Sequence, residues 1–264
     1  MKIGYIQTDP VFGNKEKNFQ QVMEIVDANH VEADLIVLPE LFATGYAFTS
    51  RLEAHEFGEL PGEETTKFLS RLSRDTGAAI VAGFIEISCD RAYNAAMLVD
   101  GERIVCIYRK IHLFNKEKEW FAPGDEPFAV HVVKGARVGL MICFDWMFPE
   151  VARSIALLGA DVIAHPANLV MPYCQKAMVT RCLENRVFAV TANRIGTEMR
   201  GGDKFTFTGK SQITAYNGDI LDTAPEDRVH ASFVEIAHLA ARNKKINEYN
   251  DVILDRRTGF YKIA

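Results

Sequence analysis

Two stretches repeat one design, and together they constrain the fold more than any other feature. ADLIVLP (33–39) and ADVIAHP (160–166) each follow a helical segment, run apolar without alternation, and stop at a proline. An unbroken apolar run of this length is how a strand reads when both of its faces are covered. Proline brings no N–H to a sheet ladder, so each run ends there. No Pro/Gly/Ser-rich linker separates the two units. The expectation is a single domain over residues 1–264, assembled from two similar halves.

The remaining segments fit that plan. KIGYIQ reads as a strand, and residues 14–32 as an amphipathic helix with Phe19, Val22, Met23, Ile25 and Val26 on its apolar side. Residues 63–77 read as a second helix stopped by Gly77, and AAIVAGFIEI as the next strand. Asp100-Gly101 and Asn217-Gly218 each sit between apolar runs, the usual mark of a tight hairpin. ARVGLMIC (136–143) reads as a strand, followed by the helix PEVARSIALLG, the strand ADVIAHP, a helix over 173–187 and the strand VFAVTANR. From about Ala240 to residue 264 no period is visible, and this tail is expected to pack across the body or a neighbouring subunit. Helices alternating with strands and hairpins imply a layered α/β fold.

Charge and cysteine usage exclude several function classes. The net charge of −5 offers no basic field for nucleic acid or anionic lipid. Five cysteines, at 89, 106, 143, 174 and 182, form no CxxC pair and no even framework, which suits a reducing cytoplasm. The first residues lack a signal-peptide core, and the most apolar long window, 151–170, is broken by Arg153, Asp161 and His165.

Reactive side chains in such folds collect where strands end. Here Glu40 follows LP, Lys110 ends the strand after the first hairpin, and Cys143 ends MIC just before a helix start at Pro149. Each has a bland alternative: a loop carboxylate, a surface cation, a small core residue. Together they suit an activated nucleophile. A free thiol is only a few per cent ionised at pH 7. Either a following helix and a nearby ammonium lower its pKa, or a carboxylate takes its proton during attack. Lys110 and a backbone N–H just after Cys143, that of Phe144, would then hold the oxyanion. Asp145 is placed to orient this corner or to cap the helix that follows. No GxSxG, GxxxxGK[ST], GxGxxG or HExxH competes, and His112 and His165 read as loop and core residues.

These residues resemble a family. LPELFATGY, YRKIHLF and GLMICFDWMFPE are similar to the three catalytic signatures of the nitrilase, or carbon–nitrogen hydrolase, superfamily. HPANLVMPY, LENRVF, GKSQI and NEYNDVILDRR extend the likeness over essentially the whole chain. The resemblance implies an α-β-β-α sandwich that pairs through its helical faces into an αββα-αββα homodimer. It implies Cys143 as nucleophile, Glu40 as general base, Lys110 as oxyanion-stabilising cation, and Glu117 as a second, positioning glutamate. No metal or organic cofactor is expected. Tyr46, Phe114, Trp146, Asn168 and Met171 are candidate pocket residues, and their character suggests a small, mostly uncharged acyl group. The expected activity is hydrolysis of small amides to acid and ammonia through a cysteine thioester. The alternatives are hydrolysis of small aliphatic (di)nitriles or of N-carbamoyl groups. A silent binding protein on the same fold is the reading from another class, and the presence of every reacting group argues against it.

Overall fold

In the computed structural model, which describes residues 1–261, the repeated unit becomes one of the two central strands in each of two six-stranded sheets. The first half contains β1 (Lys2–Gln7), α1 (Lys15–Asn29), β2 (Leu35–Val37), α2 (Arg51–Glu56), α3 (Glu64–Thr76), β3 (Ala79–Ser88), β4 (Arg91–Asp100) and β5 (Arg103–Arg109). The short α4 (Glu117–Trp120) lies in the connection. The second half contains β6 (Val130–Val133), β7 (Ala136–Leu140), α5 (Pro149–Leu157), β8 (Val162–Pro166), α6 (Cys174–Asn185) and β9 (Phe188–Ala192). After them come β10 (Thr197–Arg200), β11 (Asp203–Thr206), β12 (Gln212–Thr214), β13 (Ile220–Thr223) and β14 (His230–Glu235). The sheet orders are β14-β1-β2-β3-β4-β5 and β13-β12-β9-β8-β7-β6, with β10 and β11 forming a separate ribbon. ADLIVLP supplies β2, parallel to β1 and β3; ADVIAHP supplies β8, parallel to β7 and β9.

The unbroken apolar runs have the cause their pattern implies. In β2, Leu35 and Val37 face the other sheet, meeting Val138, Leu140, Val162 and Ala164. Ile36 and Leu38 face the helices, beside Val22 and Val26 of α1 and Leu69 and Leu72 of α3. Each such side chain contributes roughly 1.5–3 kcal/mol when fully buried. On the far side, Val151 and Ile155 of α5 and Met178 and Cys182 of α6 cover the second sheet. The layers are therefore helix, sheet, sheet, helix, as expected.

Local signals set the helix ends. The Asn14 side chain accepts the Lys17 N–H at the start of α1, and His30 ends it in a left-handed conformation. Gly77, φ 69°, ends α3.

One boundary differs from its expectation. The strand read as 136–143 stops at Leu140, and Cys143–Met147 form a short 3₁₀ turn before α5. Cys143 has φ 39°, which no strand residue adopts. The tail forms a 3₁₀ turn over His238–Arg242 and then crosses the second half. There Arg242 donates twice to Asp161, at 2.9 Å each, and Lys244 donates to the carbonyls of Asn185 (3.0 Å) and Arg186 (2.8 Å). Residues 262–264 of the expected tail lie outside the described residues. Among the described residues no helix is long and apolar enough to cross a membrane.

Candidate active site

The site is assembled from the ends of strands in both sheets. Past β2, Leu38 N–H still donates to Val81 (2.8 Å), and Gly83 N–H donates to Pro39 (3.1 Å). Glu40 is thereby pressed onto β3. A methyl on Gly83 would lie 2.5 Å from Glu40 Cα, so only glycine allows this approach. Lys110 leaves β5 with its N–H bonded to the Asn94 carbonyl (2.8 Å). Asn94 Nδ2 in turn donates to Glu40 Oε1 (2.7 Å).

The two charged groups meet out of water. Lys110 Nζ donates to Glu40 Oε1 at 2.6 Å and lies 2.8 Å from Glu117 Oε2, with Lys110 and Glu40 wholly buried. Glu117 opens α4, and its carboxylate also accepts from the Tyr46 hydroxyl (2.7 Å) and the Phe114 N–H (3.1 Å). Burial by itself pulls the Lys110 ammonium down. The carboxylates of Glu117 and Glu40 together outweigh it and hold the amine above its ordinary range. Burial raises the Glu117 carboxyl, against the pull of Lys110.

Cys143 comes from the other sheet, three residues past β7. Asp145 fixes its corner as anticipated: the buried carboxylate accepts from Ile142 N–H (2.9 Å), the Tyr108 hydroxyl (2.7 Å) and His112 N–H (3.2 Å). From β8, His165 Nε2 lies 3.0 Å from the Cys143 carbonyl and its Nδ1 lies 3.0 Å from the Thr191 hydroxyl. A carbonyl can only accept, so the ring carries its proton on Nε2 and accepts from Thr191 on Nδ1.

The thiol does not have the lowered pKa that one sequence reading anticipated. Burial pushes Cys143 well above its ordinary value, Glu40 and Glu117 add to this, and Lys110 opposes them. Cys143 itself opens a five-residue 3₁₀ turn, and at its sulfur burial outweighs the pull of Lys110. The group at rest is a neutral thiol.

The other anticipated residues divide. Tyr46 touches Glu117 directly, and the rings of Phe114 and Phe144 stand 5.1 Å apart beside the Cys143 corner. The Asn168 N–H faces the Cys143 sulfur, while both of its side-chain amide atoms are buried without a partner, as is Glu40 Oε2. Trp146 is packed into the main core, and Met171 lies partly buried against it. A cleft over Glu117 is walled by Tyr46, Phe48, Trp120 and Phe205, and Lys116 and Asp203 pair across it at 2.6 Å.

Sequence reasoning missed Asn94 and the pair Arg194–Glu198, which lies beneath Tyr46. Asn94 had a signal: a lone amide inside the apolar strand AYNAAMLV. A thiol, a carboxyl group and an ammonium buried within one another's field can carry out attack on a polarised carbon with proton transfer.

Comparison with known proteins agrees with this chemistry. A family profile described as carbon-nitrogen hydrolase matches residues 2–243. A protein of Pyrococcus abyssi named nitrilase is 47% identical over 263 residues, covering 99% of each chain. An (R)-stereoselective amidase of a Pseudomonas species is 33% identical, covering 97% of this chain and 92% of its own. The crystal structure of a carbon-nitrogen hydrolase from Helicobacter pylori G27 matches with a TM-score of 0.85 at 23% identity, over 99% of this chain and 96% of that one.

Proposed function

The chain belongs to the carbon-nitrogen hydrolase family, an enzyme acting on C–N bonds, and from that premise we propose that it is an amidase with Cys143 as nucleophile. The supporting observation is the buried Lys110 ammonium shared by Glu40 and Glu117, with the Cys143 thiol in their field.

The steps follow from the protonation states. Because the resting thiol is neutral, attack has to be accompanied by loss of its proton, and Glu40 is the base that takes it. A C–S bond forms at the amide carbon. The carbonyl oxygen gains negative charge, held by Lys110 and the Phe144 N–H. The C–N bond then breaks as Glu40 returns the proton to the departing nitrogen, releasing ammonia and leaving a thioester. Glu40 next takes a proton from water. Hydroxide adds to the thioester carbon, and the C–S bond breaks as Glu40 returns that proton to the sulfur, restoring the thiol and giving the acid. Glu117 keeps Lys110 aimed.

The charges around the site favour a small, neutral acyl group. Lys110 faces two carboxyl groups and Lys116 faces Asp203, so a substrate carboxylate finds its cations already paired. A second reading, hydrolysis of small nitriles through a thioimidate, draws on the likeness to the protein named nitrilase.

Ammonia release from matched amides and nitriles distinguishes the two readings by the ratio of acid formed. Cys143→Ala is expected to lower turnover on the order of 10⁴-fold or more. Undiminished turnover by that variant would remove the thiol from the mechanism. Intact mass should show an acyl adduct on Cys143.

Two further readings belong here. Pairing with a second copy through the α5/α6 face and the tail is supported by the exposed Leu158, Leu183, Tyr249 and Leu254. Residence in a reducing cytoplasm suits five free cysteines.

A further inference from the structure

We propose that Glu198, paired with Arg194, is a positioning residue for the hydrolysis: it fixes Tyr46, and through Tyr46 the Glu117 carboxylate that aims Lys110. The proposal rests on the roles given above to Glu117 and Lys110.

Glu198 lies on β10 and is 6% exposed. Its Oε2 accepts the N–H groups of Tyr46 (3.0 Å) and Ala47 (2.6 Å), while Oε1 pairs with the Arg194 guanidinium. Arg194, 1% exposed, also donates to the carbonyls of Pro10 and Ile195, both at 3.1 Å. Its guanidinium lies 4.1 Å from the centre of the Phe207 ring, which stands edge-on to the Tyr46 ring. Phe205, on β11, meets Tyr46 edge-on from the same ribbon. The backbone and the ring of Tyr46 are thus both held by this one region. The hydroxyl at the far end of Tyr46 donates to Glu117 Oε1 at 2.7 Å, and Lys110 Nζ donates to the same oxygen at 2.9 Å. The ribbon also reaches the other side of this contact, since Asp203 on β11 pairs with Lys116, the neighbour of Glu117.

A buried ion pair is weak evidence of stabilisation, because removing two charges from water offsets most of their attraction. What this pair does on the page is orient. It satisfies two consecutive backbone N–H groups of a loop that joins no sheet, at the residue whose side chain reaches the catalytic carboxylate. The loop fits closely: a methyl on Gly45 would lie 2.9 Å from Glu198 Oε1.

The test compares Glu198→Gln, Tyr46→Phe and the double variant, with turnover normalised to Cys143 titrated by iodoacetamide. Displacing Tyr46 should lower kcat about tenfold in Glu198→Gln, with KM moved far less. If Glu198 acts through Tyr46, the double variant loses no more than the worse single variant. Should Glu198→Gln fail to fold, Arg194→Gln/Glu198→Gln leaves no unpaired buried charge, only the half-exposed Asp9 without its cation, and is read in the same way. Unchanged kcat per titrated site, or losses that multiply, would overturn the proposal. Full activity of Cys143→Ala would instead remove the catalytic roles on which it rests.

Discussion

Burial sets the protonation of single residues in this site, and His165 offers the cleanest measurement of it. The ring is wholly buried, and burial brings its pKa from 6.5 to about 4. It therefore stays neutral when folded and takes up a proton on unfolding below pH 6.5. Its contribution to stability is fully present above that pH and is lost as pH falls toward 4, about 3 kcal/mol in all. Denaturant midpoints measured from pH 7 to pH 4.5 should fall less steeply in His165→Gln than in the wild type; identical slopes would show that another group governs this range. Cys143, Lys110 and Glu40 could be singled out in the sequence because each stands at a strand exit inside a motif. The protonation of the thiol was not legible. It depends first on how deeply the fold buries the sulfur, and then on the carboxyl groups of Glu40 and Glu117, which arrive from segments distant in the chain.

At the scale of elements, close approaches between neighbouring segments decide where the reacting groups stand. Gly83 on β3 is the tightest such approach to Glu40, so Gly83→Ala should destabilise by roughly 1–3 kcal/mol. The same substitution should lower kcat in the surviving folded enzyme, because the backbone that yields is that of Glu40. A stable and fully active variant would mean that β3 does not set the position of Glu40, the proposed base. The turn between β3 and β4 offers the opposite case. Cys89 and Asp90 both adopt positive φ, 48° and 61°, without being glycine. Asp90→Gly should raise stability by up to about 1 kcal/mol, seen as a higher thermal midpoint. Asp100-Gly101 was readable as a hairpin and Cys89-Asp90 was not, since only the former carries glycine. β14 was also hidden. Its residues are mostly half-buried and do not alternate cleanly, and its partner β1 lies more than two hundred residues away.

For the molecule as a whole, the exposed apolar side chains of the α5/α6 face and the tail are the feature to explain. Leu158 is 52% exposed and Leu183 51%, on the side away from the sheets. Pairing with a second copy, proposed above, would cover these side chains. Leu158→Glu/Leu183→Glu should shift the mass in solution, by sedimentation, from dimer to monomer, with the thermal midpoint ceasing to depend on concentration. A wild type that already sediments as a monomer would rule the pairing out. The two-half plan was visible from two heptapeptides. The ribbon of β10 and β11 that braces the site was not, because half-exposed strands of four residues carry little pattern.

The division of the reacting groups between the two sheets has a further consequence. Glu40 and Lys110 ride on the first sheet and Cys143 on the second, so neither half holds all three of the groups proposed to react. Severing the chain near Asp125, in the connection, should yield two inert fragments that regain turnover only on recombining. Hydrolysis would then act as a gauge of sheet docking, extinguished by a slight slip between the layers while the helices and strands themselves persist.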